Sequence, residues 1–377
     1  MAPQQILDTH IHLWPSTATS SSNHSWMTRG NILAKRHGIS DYLAITSPPP
    51  QGFIYVETDR RLPSTEPNIP DSASSSEIRK ELELWAKEPL DELRFLRRIA
   101  EGTPEEGDGF TQEHGSRMFG CVIYAPFHLT PTVFNEYLAT AKHVAGERLW
   151  SKVVGFRYLL QGKGDGAVSK MLKEQGGWWE SNLCALKALE GTSDAWCFDV
   201  GVDTHRDGVE PMEAVASLIK RVRAREDRED TEGRRVKFVL NHLAKPPLSS
   251  TTTNNQPNPR WLSALSTLSP DKNIFMKLSG ALNEFDNQPT PADIPTLLSA
   301  LTPYFEHAFH CFPQRVMFGS DWPVCNVGGP AGEEGNWRLW RDVVEAWMER
   351  VGMGEGEREG VWWGAGVRAY GLAGLKG

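Results

Sequence analysis

Eight short apolar runs, separated by longer amphipathic or irregular stretches, constrain this sequence more than any other feature. They are ILDTHIHLW (6–14), GFIYVETD (52–59), MFGCVIYAP (118–126), VVGFRYLL (153–160), WCFDVGVD (196–203), VKFVLNHLA (236–244), NIFMKLSG (273–280) and RVMFGSDWP (315–323). Several are close to continuously hydrophobic, the pattern of strands covered on both faces. The intervening stretches are long enough for crossover helices. MEAVASLIKRVRAR (212–225) and ELELWAKEPLDELRFLRRIA (81–100) repeat apolar residues with the 3.6-residue period of a helix. Eight strands alternating with helices predict an α/β chain folded as a (β/α)8 TIM barrel. A doubly wound open sheet is the alternative, but no G-x-G-x-x-G turn follows the first run.

With 377 residues the chain exceeds the roughly 250 of a typical barrel, so it reads as one barrel domain over 1–377 with insertions near 60–117 and 246–260. The first begins as a loop containing Pro63, Pro67, Pro70 and SASSS before the long helix; the second is PPLSSTTTNNQPNP (246–259). Both leave C-terminal strand ends, where barrel active sites lie, and read either as lids or as surface decoration. Apolar residues make up 39% of the chain, enough for a sizeable core. No run of about 20 apolar residues exists and no basic-then-apolar segment opens the chain, which predicts neither a membrane span nor a secretory signal. A net charge of −8 disfavours a nucleic-acid partner, because phosphate binding needs clustered Lys and Arg. The five cysteines (Cys121, Cys184, Cys197, Cys311, Cys325) form no C-x-x-C pair, which predicts reduced thiols and a cytoplasmic location. Association into a homo-oligomer stays open.

The first run holds the stripe D-x-H-x-H. Strand side chains alternate faces, so Asp8, His10 and His12 are expected to project from one side. The two imidazoles would then share a cation with Asp8 orienting one ring, or pair by hydrogen bonds at a strand end. His205 follows the fifth run, His242 ends the sixth and Asp321 ends the eighth. Ionisable groups placed repeatedly at the ends of otherwise apolar strands are costly unless paired or coordinated. Arg157 shares a strand face with Gly155 and Leu159 and could hold a substrate hydroxyl or carboxylate, or bridge to a neighbouring strand. Lys277, a charge inside a strand, points to the same site, and Glu57 reads as a substrate hydrogen-bond acceptor or a structural group. Trp14 and Trp322 flank the proposed ligands and offer faces to sugar C–H surfaces, although most of the 14 tryptophans must serve the core.

Together with GFRYLLQG (155–162), NHLAKP (241–246), MKLSG (276–280) and FGSDWPV (318–324), this constellation resembles the amidohydrolase superfamily. More narrowly it is similar to the branch of amidohydrolase-related sugar-lactone and aromatic-lactone hydrolases, from residue 6 to about 370. Two departures stand out. The tail GAGVRAYGL keeps Arg368 and Tyr370 but lacks the family's Asn, and strand four carries Arg157 where a carboxylated lysine would bridge two metals. A binuclear centre is therefore not expected. The resemblance implies hydrolysis of a sugar-derived γ-lactone, such as L-rhamnono-1,4-lactone, to the aldonic acid. In that reading Asp321 is the general base, and His242 polarises the carbonyl with His205 also in the catalytic set. His10, His12, His205 and Asp321 would hold one divalent metal such as Zn2+, though the branch includes members that use none. A metal-dependent non-oxidative decarboxylase of an aromatic acid is the alternative; the F-R-x-x-L-Q, H-x-x-K-P and K-L-S-G elements favour the lactonase.

Overall fold

The computed structural model describes residues 5–164, 166–174, 177–188, 196–229, 234–250, 256–285 and 289–372. Each apolar run contains one strand: β1 Leu7–Ile11, β2 Gly52–Val56, β3 Met118–Tyr124, β4 Val153–Arg157, β5 Cys197–Val200, β6 Lys237–Leu240, β7 Ile274–Leu278 and β8 Val316–Phe318. All neighbours pair in parallel, in chain order. The sheet closes on itself just past its last strand. Ile11 bridges Trp322, the His12 N–H donates to the Trp322 carbonyl at 2.7 Å, and the Asp321 N–H donates to the His10 carbonyl at 2.8 Å. The expected (β/α)8 barrel is the observed architecture.

Among the described residues the helices are α1 Ile39–Ile45, α2 Ser75–Trp85, α3 Lys87–Glu101, α4 Pro131–Trp150, α5 Ala167–Glu174, α6 Trp178–Ala185, α7 Glu210–Arg228, α8 Pro259–Leu268, α9 Ile294–Cys311, α10 Gly332–Arg350, α11 Glu355–Glu359 and α12 Ala365–Ala369. The helical pattern over 212–225 falls within α7. The long helix expected over 81–100 is instead two, broken at Ala86. Pro89 explains the break: it has no N–H for the Trp85 carbonyl, and its ring would crowd that oxygen. The insertion near 60–117 becomes structure, since Ile78, Leu82, Leu93 and Leu96 of α2 and α3 are buried in the helix-side core. Of the second insertion, residues 251–255 lie outside the described residues; before them Leu248 bridges Phe285.

Alternation along each strand divides the core in two. Phe53 and Tyr55 belong to the layer between sheet and helices, whereas Ile54 and Val56 join Leu7, Val122, Val239, Phe275 and Met317 in the other cluster, inside the barrel. The chain end meets that interior: Tyr370, just past α12, is buried and donates its hydroxyl to Asp199 at 3.1 Å. Polar side chains for a site must therefore come from the opposite, C-terminal strand ends.

Candidate active site

Four groups converge at the C-terminal mouth. His10 Nε2 lies 3.2 Å from His12 Nε2. Asp321 Oδ1 lies 3.5 Å from His10 Nε2, 3.4 Å from His12 Nε2 and 3.9 Å from His242 Nε2. The backbone aims them by leaving its ordinary conformations. His242, Leu243, Ala244 and Lys245 all have positive φ, from 50° to 60°, and Asp321 has φ 60°. Left-handed backbone costs a non-glycine residue on the order of 1 kcal/mol each, and persists only where its surroundings impose it. Here the Asn241 N–H bonds the Val200 carbonyl, the Thr204 N–H bonds the Ala244 carbonyl, and Trp261 Nε1 donates to the Leu243 carbonyl. Gly280 (φ +61°) follows β7 and comes so close that a methyl group there would sit 2.6 Å from His242 Nδ1 and 2.9 Å from Asp321 Oδ2.

Partners fix the imidazole protons. The carbonyl of Val56, 2.8 Å from His12 Nδ1, can only accept, so His12 carries a proton on Nδ1 and turns Nε2 inward. His10 is the reverse. Its Nδ1 faces Lys277 Nζ at 3.1 Å, and Lys277 is ion-paired with Asp199 at 2.6 Å. An ammonium there donates to Nδ1 and leaves the His10 proton on Nε2. His242 Nδ1 meets the Ser279 hydroxyl at 2.8 Å, a rotor that can donate or accept, so either Nε2 form is accessible. Burial, with Lys277 and His242 nearby, pushes His10 well below the ordinary histidine value. Burial likewise pulls His242 down to about 3, against the pull of Asp321. Burial opposes ionisation of Asp321, but His242, the His12 contact and Lys245 hold it below its ordinary value. The mouth thus presents His10 and His242 as neutral imidazoles beside an ionised carboxylate.

Above this cluster opens a cavity of about 480 Å³ lined by His12, His242, Asp321, Arg157 and Trp14 of the expected residues. Arg157, the last residue of β4, donates from Nε to Glu57 Oε1 at 2.5 Å and from Nη2 to the Glu57 carbonyl. Its Nη1 has no hydrogen-bond partner among the described residues and belongs to the cavity wall.

Five expectations need correction. Glu57 is buried behind the wall, where it orients Arg157 instead of meeting a ligand. Lys277 is fully buried beneath His10, out of reach of a substrate. Trp322 is 3% exposed and packs edge-on against His37 and tilted against Tyr42, because its carbonyl is tied to β1 and its ring turns away from the Asp321 side. His205 bonds the buried carboxylate of Glu284 at 2.8 Å and does not join the histidine cluster, so neither its catalytic nor its metal role finds support. Asp8 orients no ring. The β1–β2 register shifts between Asp8 and Ile11, turning Asp8 outward to accept from Tyr42 Oη at 2.7 Å, Trp337 Nε1 at 3.1 Å and the Ser320 N–H at 2.8 Å. Conversely Lys245, Asp203, Asp59, Gln161 and Trp26 line the cavity without having been singled out. Lys245 sits in the NHLAKP motif and Asp59 and Asp203 end apolar runs, the position that identified His242 and Asp321.

A family model described as Amidohydrolase matches residues 231–372. The whole chain is 26% identical to an L-rhamnono-gamma-lactonase of Scheffersomyces stipitis, over 99% of this chain and 100% of that protein. The C-terminal part of the chain is thus similar to the amidohydrolase family, and the whole chain to one sugar lactonase. The chain is also 33% identical over 138 residues to an L-fucono-1,5-lactonase of Burkholderia multivorans, covering 36% of this chain and 43% of that one. Among solved structures, an amidohydrolase of Burkholderia multivorans with bound zinc shares its fold, with a TM-score of 0.63, 22% identity, and coverage of 97% of this chain and 99% of that one.

At the barrel mouth His10, His242 and Asp321 offer ligand atoms that all lie within 4.8 Å of one another, close enough for one cation. His12, with Nε2 turned inward and its Nδ1–H held by a carbonyl, has the outer partner typical of a metal-bound imidazole. His10 in its hydrogen-bonded form is a donor, and becomes a ligand through Nε2 only after releasing that proton. The set fits a single divalent ion. Lys277, 3.1 Å from His10 Nδ1, is ion-paired with Asp199 and so is not placed to bridge a second ion.

Proposed function

We propose that this chain hydrolyses a sugar-derived γ-lactone, of the L-rhamnono-1,4-lactone kind, to the open aldonic acid. The observation that carries this reading is the ionised Asp321 held among three imidazoles at the floor of a cavity large enough for one small ring. Full-length similarity to a lactonase supports it. The wall also carries Arg157, Lys163, Arg206 and Lys245 against Asp59, Asp203, Asp207 and Asp321, four formal charges of each sign. A balanced, polar wall suits a neutral polyhydroxylated ligand, and the rings of Trp14 and Trp26 suit its C–H faces.

In the reaction Asp321 takes a proton from a water aimed at the lactone carbonyl. The Nε2–H of His242, available when Ser279 donates to Nδ1, stabilises the oxygen as charge develops on it. Arg157 Nη1 holds a substrate hydroxyl in register. A divalent ion such as Zn2+, held by His10, His242 and Asp321 beside His12, would supply Lewis-acid polarisation of that carbonyl in place of the His242 N–H; elemental analysis of the purified protein tests this assignment. No described helix is long and apolar enough to cross a membrane, and the five cysteines are all free and buried. Those thiols fit the reducing cytoplasm.

The test is proton release with L-rhamnono-, L-fucono- and galactono-lactones, run beside CO2 release from hydroxybenzoates. We expect protons from at least one lactone, no CO2, and a loss of at least about 10³-fold in kcat for Asp321→Asn. Absence of proton release from every lactone would overturn the reading.

A further inference from the structure

Asp59 is the unexplained carboxyl of the cavity. It lies three residues beyond β2, is half-buried, and adopts left-handed backbone (φ 51°). Glu57 fixes this posture: its Oε2 accepts the Asp59 N–H at 2.6 Å while its Oε1 holds Arg157. The Asp59 carboxyl itself has no hydrogen-bond partner among the described residues, although it lines the same cavity as Asp321. A strained backbone that aims an unpaired acid into a cavity is hard to explain by stability. The two carboxyls stand at the ends of β2 and β8, the strands on either side of β1. Two strand spacings are about 10 Å along the sheet. A base-to-water contact, a water-to-carbon approach and a contact from ring oxygen to acid, each about 3 Å, fill a similar span.

We propose that Asp59 is the proton donor to the departing ring oxygen, dividing acid and base work between the β2 and β8 ends. This rests on the lactonase reading. Asp321 removes a proton from water as the new C–O bond forms. The tetrahedral intermediate then collapses with cleavage of the bond from acyl carbon to ring oxygen. That oxygen leaves with its electron pair and takes the Asp59 proton, becoming the sugar hydroxyl. Asp321 passes its proton to solvent, Asp59 regains one, and the new carboxyl ionises, so the cycle consumes one water and releases one proton.

The surroundings separate the two acids in the required direction. Burial and the neighbouring Glu57, with Glu92 of α3 behind it, push Asp59 up to about 6, against the opposing pull of Lys163 and Arg157. The phenols of Tyr124 and Tyr158 also face it, and burial above all pushes both of them upward, so neither adds a competing charge.

Asp59→Asn keeps the shape and suits left-handed backbone, where Asn is among the best tolerated residues. We expect kcat on the γ-lactone to fall by about 10²- to 10⁴-fold with KM within about threefold of wild type. The wild-type kcat/KM should decline as pH rises through about 6, because the donor must be protonated, and this limb should vanish in Asp59→Asn. The proposal is overturned if Asp59→Asn keeps kcat within about tenfold, changes KM alone, or retains the alkaline limb. A wild-type profile flat from pH 5 to 8 overturns it without any variant. Wild-type inactivity on every lactone instead removes the underlying reading, so the two failures are distinguishable.

Discussion

Gly280→Ala should damage the site with only a modest effect on the fold. A methyl group on this residue would lie 2.6 Å from His242 Nδ1 and 2.9 Å from Asp321 Oδ2. Comfortable contact needs about 3.5 Å, so the two side chains must separate by roughly 0.6–0.9 Å. Neither can yield cheaply. His242 is tied to Ser279 and sits in the left-handed turn, and Asp321 is fixed by its bond to the His10 carbonyl. Left-handed alanine costs about 1 kcal/mol and overpacking about 1–3 more, or roughly 2–4 kcal/mol in all. At about 2.1 cal/mol/K of unfolding entropy per residue, a chain of this length should lose only about 3–5 °C in Tm. Misplacement near 1 Å costs about 10²-fold in rate, so kcat should fall by about 30- to 100-fold. Gly352→Ala is the control. Gly352 also has left-handed backbone (φ +69°), but nothing lies within 4 Å of an added methyl. It pays the backbone cost alone and should keep wild-type kcat. Proton-release kinetics and thermal unfolding on both variants decide the matter, and a Gly280→Ala enzyme with kcat within threefold of wild type refutes the geometry.

Two further predictions concern groups behind the cavity. Glu57→Gln should weaken the grip on Arg157 and on the Asp59 backbone, costing about 1–3 kcal/mol of substrate binding, seen as a KM increase of about fivefold or more; unchanged steady-state kinetics would deny Glu57 its orienting role. His24 is fully buried against Thr58, and burial above all, with Arg60 nearby, lowers it to about 2. Its unfolded form takes a proton near 6.5 while the folded imidazole stays neutral, so its contribution is complete above pH 6.5 and is lost as pH falls towards 2. Urea unfolding should therefore show wild type losing about 1.4 kcal/mol per pH unit more than His24→Asn between pH 6 and 4; parallel pH dependences would contradict the assignment.

Why some of these roles were legible in the sequence and others were not comes down to depth and direction. All eight strands were legible because strands buried on both faces leave apolar runs that little else produces, and the closing ends of those runs marked His242 and Asp321. Two lysines show where that reasoning fails. Lys277 lies within β7, whereas Lys245 lies five residues beyond the end of β6. At about 3.3 Å of rise per residue, Lys277 sits about 10 Å below Gly280, which already touches the reactive groups. A charge inside a strand thus belongs under the site, where it needs a buried partner such as Asp199, and a charge past the strand end belongs in the cavity. Alternation carries direction only while register holds. The shift within β1 turned Asp8 outward although His10 and His12 still converge, and no single-chain pattern announces such a shift. His205 was hidden for another reason: its partner Glu284 is 79 residues away, so its diversion into an ion pair depends on a tertiary contact that the local pattern does not carry.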